Sequence, residues 1–209
     1  MGLGSSAAVA VSVSFALLTC DEVVPSLDLV FRTALRAHRA AQGGRGSGYD
    51  IAASTFGGIG LFQGGLNPRY DRLSVGPDNL LMIMGDRSLA TPTAVGCYET
   101  WTKRRPDQQR VHRCRSNSMV RCALRDGRWG EAFEAGRRLT QWLGAETGIA
   151  VEPPELRERI DRVVEVGHAA KPVGAGGELA VCVPTPGVGL PVESWLRPVS
   201  VSPAGVKIE

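Results

Sequence analysis

Hydrophobic and polar positions divide the chain into a few clear stretches. From Ser5 to about Cys20 almost every position is apolar or small, rich in Ala, Val and Leu. A run that is apolar nearly all round predicts a helix held inside a core, and at about 14 residues it is too short to span a bilayer. Pro25-Ser26 opens a second helix, with Ser26 as N-cap and Asp28 in the first turn; it runs to about Ala41 and ends at Gly43-Gly44. Ile51–Gly60 reads as a small-residue turn or short helix, Ile59–Phe62 as a strand and Leu80–Met84 as a buried strand. From Thr91 the pattern becomes helical, over Ala94–Arg104, Gln108–Arg125, Trp129–Thr147 and Pro154–Val166, with Gly127 and Gly148 as stops. Lys171–Gly177 reads as a glycine-rich turn, Leu179–Val183 as an apolar strand and Leu196–Val201 as a closing strand. The class is α+β. A composition shift near Gly76–Asn79 predicts two domains, 1–76 and 77–209.

Composition narrows the function classes. The 209 residues are 43% hydrophobic and 22% charged, which excludes global disorder and fibrous repeats. A net charge of +3 is too weak to argue for a nucleic-acid partner. The basic run Lys103–Arg128 reads as a solvated helix surface that includes His112, with attraction of an anionic substrate as the alternative. Five cysteines without a CxxC pair, and the scattered His38, His112 and His168, argue against a zinc site and for a reducing cytoplasm. Cys97, Cys114 and Cys122 read as core or surface thiols, and the four tryptophans as packing residues. No basic segment precedes the first apolar helix, so it is not read as a signal peptide, and no membrane partner is expected.

Three segments carry candidate chemistry. Gly2-Leu3-Gly4-Ser5-Ser6-Ala7-Ala8 leads directly into the first helix. Glycines let the backbone approach an anion, the free N–H groups of the first turn point at it, and serine hydroxyls reach a phosphate oxygen or a metal ion. The plainer reading is a serine-capped helix start. Gly46-Ser47-Gly48-Tyr49-Asp50 places a carboxylate after a tight turn, as an acceptor for a hydroxyl proton or as a cap for a short helix. Lys171-Pro172-Val173-Gly174-Ala175-Gly176-Gly177 is a second permissive loop that either closes over a substrate or merely turns.

Taken in order, these segments resemble the GHMP kinase superfamily (galactokinase, homoserine, mevalonate and phosphomevalonate kinases). Gly2–Ala8 repeats the second half of the family phosphate loop PxxxGLGSSAA. Ser47–Gly58 matches the acid segment SG-x-D-x-A-x-S-T-x-G-G, and Lys171–Gly177 matches KPxGAGGGD up to Glu178, which stands at the usual Asp. Ala37–Gly43 and the small hydroxyl segment Ser88–Thr91 are most similar to phosphomevalonate kinases, with mevalonate kinase the near neighbour. The resemblance implies a two-domain architecture, with an incomplete N-terminal ATP-binding domain and a ferredoxin-like C-terminal α+β domain. It implies transfer of the ATP γ-phosphoryl group to phosphomevalonate or a related small alcohol or phosphate. Gly2, Leu3, Gly4, Ser5, Ser6 and Ala7 would hold the nucleotide, with Ser6 on Mg²⁺. Asp50 would be the catalytic acid–base or orienting group. Ser47, Gly48, Gly174, Ala175, Gly176 and Gly177 would line the acceptor. His38 falls near the position of a family Mg²⁺-binding glutamate. The resemblance further implies a chain that starts inside the phosphate loop, leaving the first helix exposed and prone to self-association. The alternative is an inactive fragment that serves as a binding domain.

Overall fold

In a computed structural model the described residues are 4–20, 24–77, 79–86, 91–174 and 176–207. The chain divides into two compact units, Leu3–Gly76 with Val201–Glu209, and Pro77–Ser200. The expected second domain, 77–209, therefore differs at its end. From Val201 the chain packs with the first unit, where the Gly58 N–H donates to the Ser202 carbonyl (2.8 Å) and Arg72 Nη2 to that of Pro203 (2.6 Å).

The first unit holds α1 (Ser5–Leu18), α2 (Leu27–Ala41), α3 (Tyr49–Phe56) and an antiparallel hairpin of β1 (Gly60–Gln63) and β2 (Arg69–Arg72). Ser26 caps α2 by accepting from the Leu29 N–H at 3.3 Å, a contact worth about 1 kcal/mol. The stripe Val30, Phe31, Ala34, Leu35 and His38 is the buried face of α2. It meets Ala7, Val11 and Phe15 of α1 and Ile51 and Ala52 of α3 in one core. Phe56 stacks on Tyr70 at 5.4 Å and closes the hairpin side of that core.

The expectation that α1 is buried all round does not hold. Ala7, Val11, Ser14 and Phe15 are buried, but Val9, Val13 and Leu17 are 62%, 53% and 69% exposed. A helix that is apolar on every face does not encode which face packs, and α2 and α3 cover one side of it.

The second unit begins with β3 (Leu80–Met84) and continues through α4 (Thr91–Arg104), α5 (Pro106–Arg125), α6 (Trp129–Thr147) and α7 (Pro154–Glu165). It ends with β4 (Ala169–Pro172), β5 (Leu179–Val183) and β6 (Leu196–Val199). Its strands form an antiparallel sheet in the order β4-β5-β3-β6. That is the ferredoxin-like order, with four helices in the first crossover and an irregular stretch, 184–195, in place of the second helix. Ile83, Ala170, Ala180 and Cys182 of the sheet pack against Leu156, Ile160 and Val163 of α7. Lys171 and Pro172, read from the sequence as part of a turn, are the end of β4 and pair with Val181 and Ala180.

His112 also departs from its surface reading. Its ring stacks on Trp142 at 5.3 Å and meets Trp101 edge-on at 6.2 Å, inside an aromatic cluster of α4, α5 and α6. Among the described residues no helix is long and apolar enough to cross a membrane.

Candidate functional site

The first turn of α1 has no side-chain cap. Gly4 occupies the N-cap in a left-handed conformation (φ +75°). The first intrahelical bond runs from the Ala8 N–H to the Gly4 carbonyl at 3.0 Å. The N–H groups of Ser5, Ser6 and Ala7 precede that bond, and they carry the positive end of the helix dipole. Ser5 and Ser6 are exposed, whereas the Ala7 methyl is wholly buried in the core, so Ala7 offers a ligand only its backbone. Gly2 and Leu3, the other predicted nucleotide-binding residues, lie outside the described residues.

Two further elements converge on this turn. α2 delivers His38, 7% exposed, whose Nε2 lies 3.2 Å from Ser6 Oγ and 3.2 Å from Gln42 Nε2. α3 delivers Asp50 in its own first turn, and a β-carbon placed on Gly4 would stand 3.5 Å from Asp50 Cβ. The carboxylate is half-buried, and its Oδ1 accepts from the Ile51 N–H at 3.0 Å. Burial, and then the charge of Asp50, push the neighbouring Tyr49 phenol above its ordinary pKa.

Arg39, beside His38 on α2, anchors the turn before the acid. Its Nε donates to the Gly46 carbonyl (3.2 Å) and its Nη2 to that of Ser47 (3.3 Å). The spacing of His38 and Arg39 ahead of the acid turn was legible as a motif, but their contacts were not: His38 reaches a residue 32 positions back, and Arg39 folds onto backbone carbonyls of the following loop.

The third predicted segment belongs to the second unit. Gly174, Gly176 and Gly177 all have positive φ, while Ala175 lies outside the described residues. The Gly177 N–H donates to the Val151 carbonyl at 3.0 Å, and a β-carbon on Gly176 would fall 2.5 Å from that oxygen. Only glycine permits so close an approach. Val151 is next to Glu152, whose buried carboxylate is held by Arg137 Nε (2.9 Å) and Nη2 (3.0 Å) and by Gln141 Nε2 (3.0 Å). Arg137 also reaches Asp161 at 2.6 Å. Sequence reading missed this network, since partners 15 and 24 positions apart carry no local signature.

At the root of the same loop, burial lowers the pKa of the Lys171 amine, which lies 5.8 Å over the Phe133 ring. Cys182 is wholly buried and its thiol is pushed up to about 11, which removes it as a nucleophile. Cys114 and Cys122 are exposed free thiols and Cys97 a half-buried one.

The stretch that carries the α1 turn and Asp50 is also where a family model aligns: residues 1–58 match the GHMP kinases N terminal domain. The match covers 58 of the 209 residues. The fold agrees. The Lin0012 protein from Listeria innocua superposes with a TM-score of 0.78 at 20% identity, covering 96% of this chain and 66% of its own. L. major mevalonate kinase, solved in complex with R-mevalonate, gives 0.69 at 21% identity over 88% of this chain and 57% of its own. A protein designated a sugar kinase from Campylobacter jejuni gives 0.54 at 18% identity over 99% and 64%. The chain thus spans between 57% and 66% of the length of these solved chains. No curated protein matches it significantly.

Proposed function

We propose that the protein is an ATP-dependent small-molecule kinase that transfers the γ-phosphoryl group to phosphomevalonate or a related small alcohol or phosphate. One observation carries this reading: a helix N-terminus without a side-chain cap, bearing two exposed serines, stands beside a carboxylate within the segment that matches the GHMP kinase model. The N–H groups of Ser5, Ser6 and Ala7 bind phosphate oxygens, with Gly2, Leu3 and Gly4 as the backbone approach. Asp50 receives the proton of the acceptor hydroxyl or orients an acceptor phosphate, and Ser47 and Gly48 line the acceptor.

The donor set fits a nucleotide-borne Mg²⁺. The Ser6 hydroxyl is a hard oxygen ligand of the kind that Mg²⁺ takes. Mg²⁺ supplies neutralisation of the charge on the phosphates. The chain's own residues supply position and electrostatic preorganisation, the dominant contributions in phosphoryl transfer. The soluble setting expected for such a small-molecule enzyme is the cytoplasm, with no nucleic-acid or membrane partner.

ATP consumption measured across mevalonate, phosphomevalonate, homoserine and galactose tests the proposal. Turnover is expected with phosphomevalonate above the others, and none with any acceptor from folded protein refutes it. The exposed Val9, Val13 and Leu17 face of α1 favours a second reading, a non-catalytic binding domain that self-associates through that face. A monodisperse monomer with micromolar ATP affinity would count against it.

A further inference from the structure

We propose that His38 is a positioning residue that fixes the polarity of the Ser6 hydroxyl, committing its oxygen to a cation and leaving phosphate oxygens to the backbone. The inference rests on the reading of this turn as a nucleotide site and assigns a role to a side chain that the reading leaves unused. Two contacts on one ring nitrogen decide it. With the Gln42 amide nitrogen turned toward it as a donor, His38 Nε2, 3.2 Å away, is assigned as an acceptor and the ring proton to Nδ1. Ser6 Oγ lies 3.2 Å from that same nitrogen, and in this tautomer its hydroxyl shares the single Nε2 lone pair with Gln42 as a second donor.

A serine hydroxyl has a single proton. Once that proton is directed at His38, the oxygen presents only lone pairs to the open side of the α1 turn. Lone pairs suit a metal cation and repel a phosphate oxygen, which needs a donor. The N–H groups of Ser5, Ser6 and Ala7 are such donors, so the two ligand types are sorted onto different atoms of one helical turn. Burial holds the imidazole in place. His38 is 7% exposed on the packed face of α2, where water competes little for Nε2.

The full-length chain with Mn²⁺ and ATP provides the test, read by water-proton relaxation enhancement, which reports metal held on the protein without requiring turnover. His38→Phe removes the acceptor and is expected to weaken Mn²⁺ binding to the ATP complex by about tenfold, the scale of lost outer-sphere support. ATP binding without metal should stay unchanged. His38→Gln, whose carbonyl accepts the same proton, should restore most of the loss. In a Ser6→Ala background His38→Phe should cost nothing further. Wild-type Mn²⁺ affinity in His38→Phe, a full additional loss in the Ser6→Ala background, or an equal loss of metal-free ATP binding would each overturn the assignment while leaving the nucleotide site standing. Failure of the wild-type chain to enhance relaxation with Mn²⁺ and ATP would overturn both.

Discussion

Asp50 and Ser6 reach one place by different routes. Asp50 is brought there by the start of α3, against the Gly4 cap, with the adjacent Ile51 N–H fixing one carboxylate oxygen. Ser6 is held by its bond to His38. If Asp50 handles the acceptor rather than the nucleotide, Asp50→Asn keeps shape and hydrogen bonding but loses the base. Turnover should then fall by roughly a hundredfold or more, with ATP affinity nearly unchanged in a titration. An unaffected rate would remove Asp50 from its role. The Ser–Ser–Ala and Gly–x–Asp patterns were visible in the sequence because their chemistry is local. His38 stood out only as a residue type near the right position. Its partners are 32 positions away at Ser6 and one helical turn away at Gln42, and only packing joins them.

Most of the helices were legible because their polar and apolar positions have a strong period and marked ends. α6 and β3 have the bounds that periodicity predicts, and α5 and α7 differ by one or two residues. β4 was missed. Ala169–Pro172 is four residues with small side chains and a terminal proline, and its identity comes from pairing with β5. The burial of α1 was overestimated for the opposite reason, an excess of apolar positions with no polar face to set an orientation.

The α6–α7 connection shows a third kind of hidden information. Glu152, fully buried, depends on Arg137 for charge compensation, and its neighbour Val151 supports the Gly176–Gly177 turn. Arg137→Met should destabilise the second unit by about 3 kcal/mol, because a carboxylate would be left buried without its main partner. Arg137→Met with Glu152→Met should recover most of that loss in thermal or urea unfolding. If the double variant is no more stable than the single one, the pair is not the source of the cost.

The two units carry different parts of the assignment. The first combines the family-matched segment with the returning C-terminal stretch from Val201, a closure that no local sequence signal announced. The second is a ferredoxin-like sheet whose glycine loop bonds to the Val151 backbone, next in sequence to a buried ion pair. The proposed kinase activity depends on the α1 turn binding a nucleotide. Calorimetric titration of Mg·ATP into the full chain, alongside Gly4→Val, tests this most directly. A side chain at Gly4 would be strained at φ +75° and would lie in contact with Asp50. Saturable single-site binding in the micromolar range, lost in Gly4→Val, is the predicted result. No binding by the folded wild-type chain, or equal binding by the variant, would contradict it.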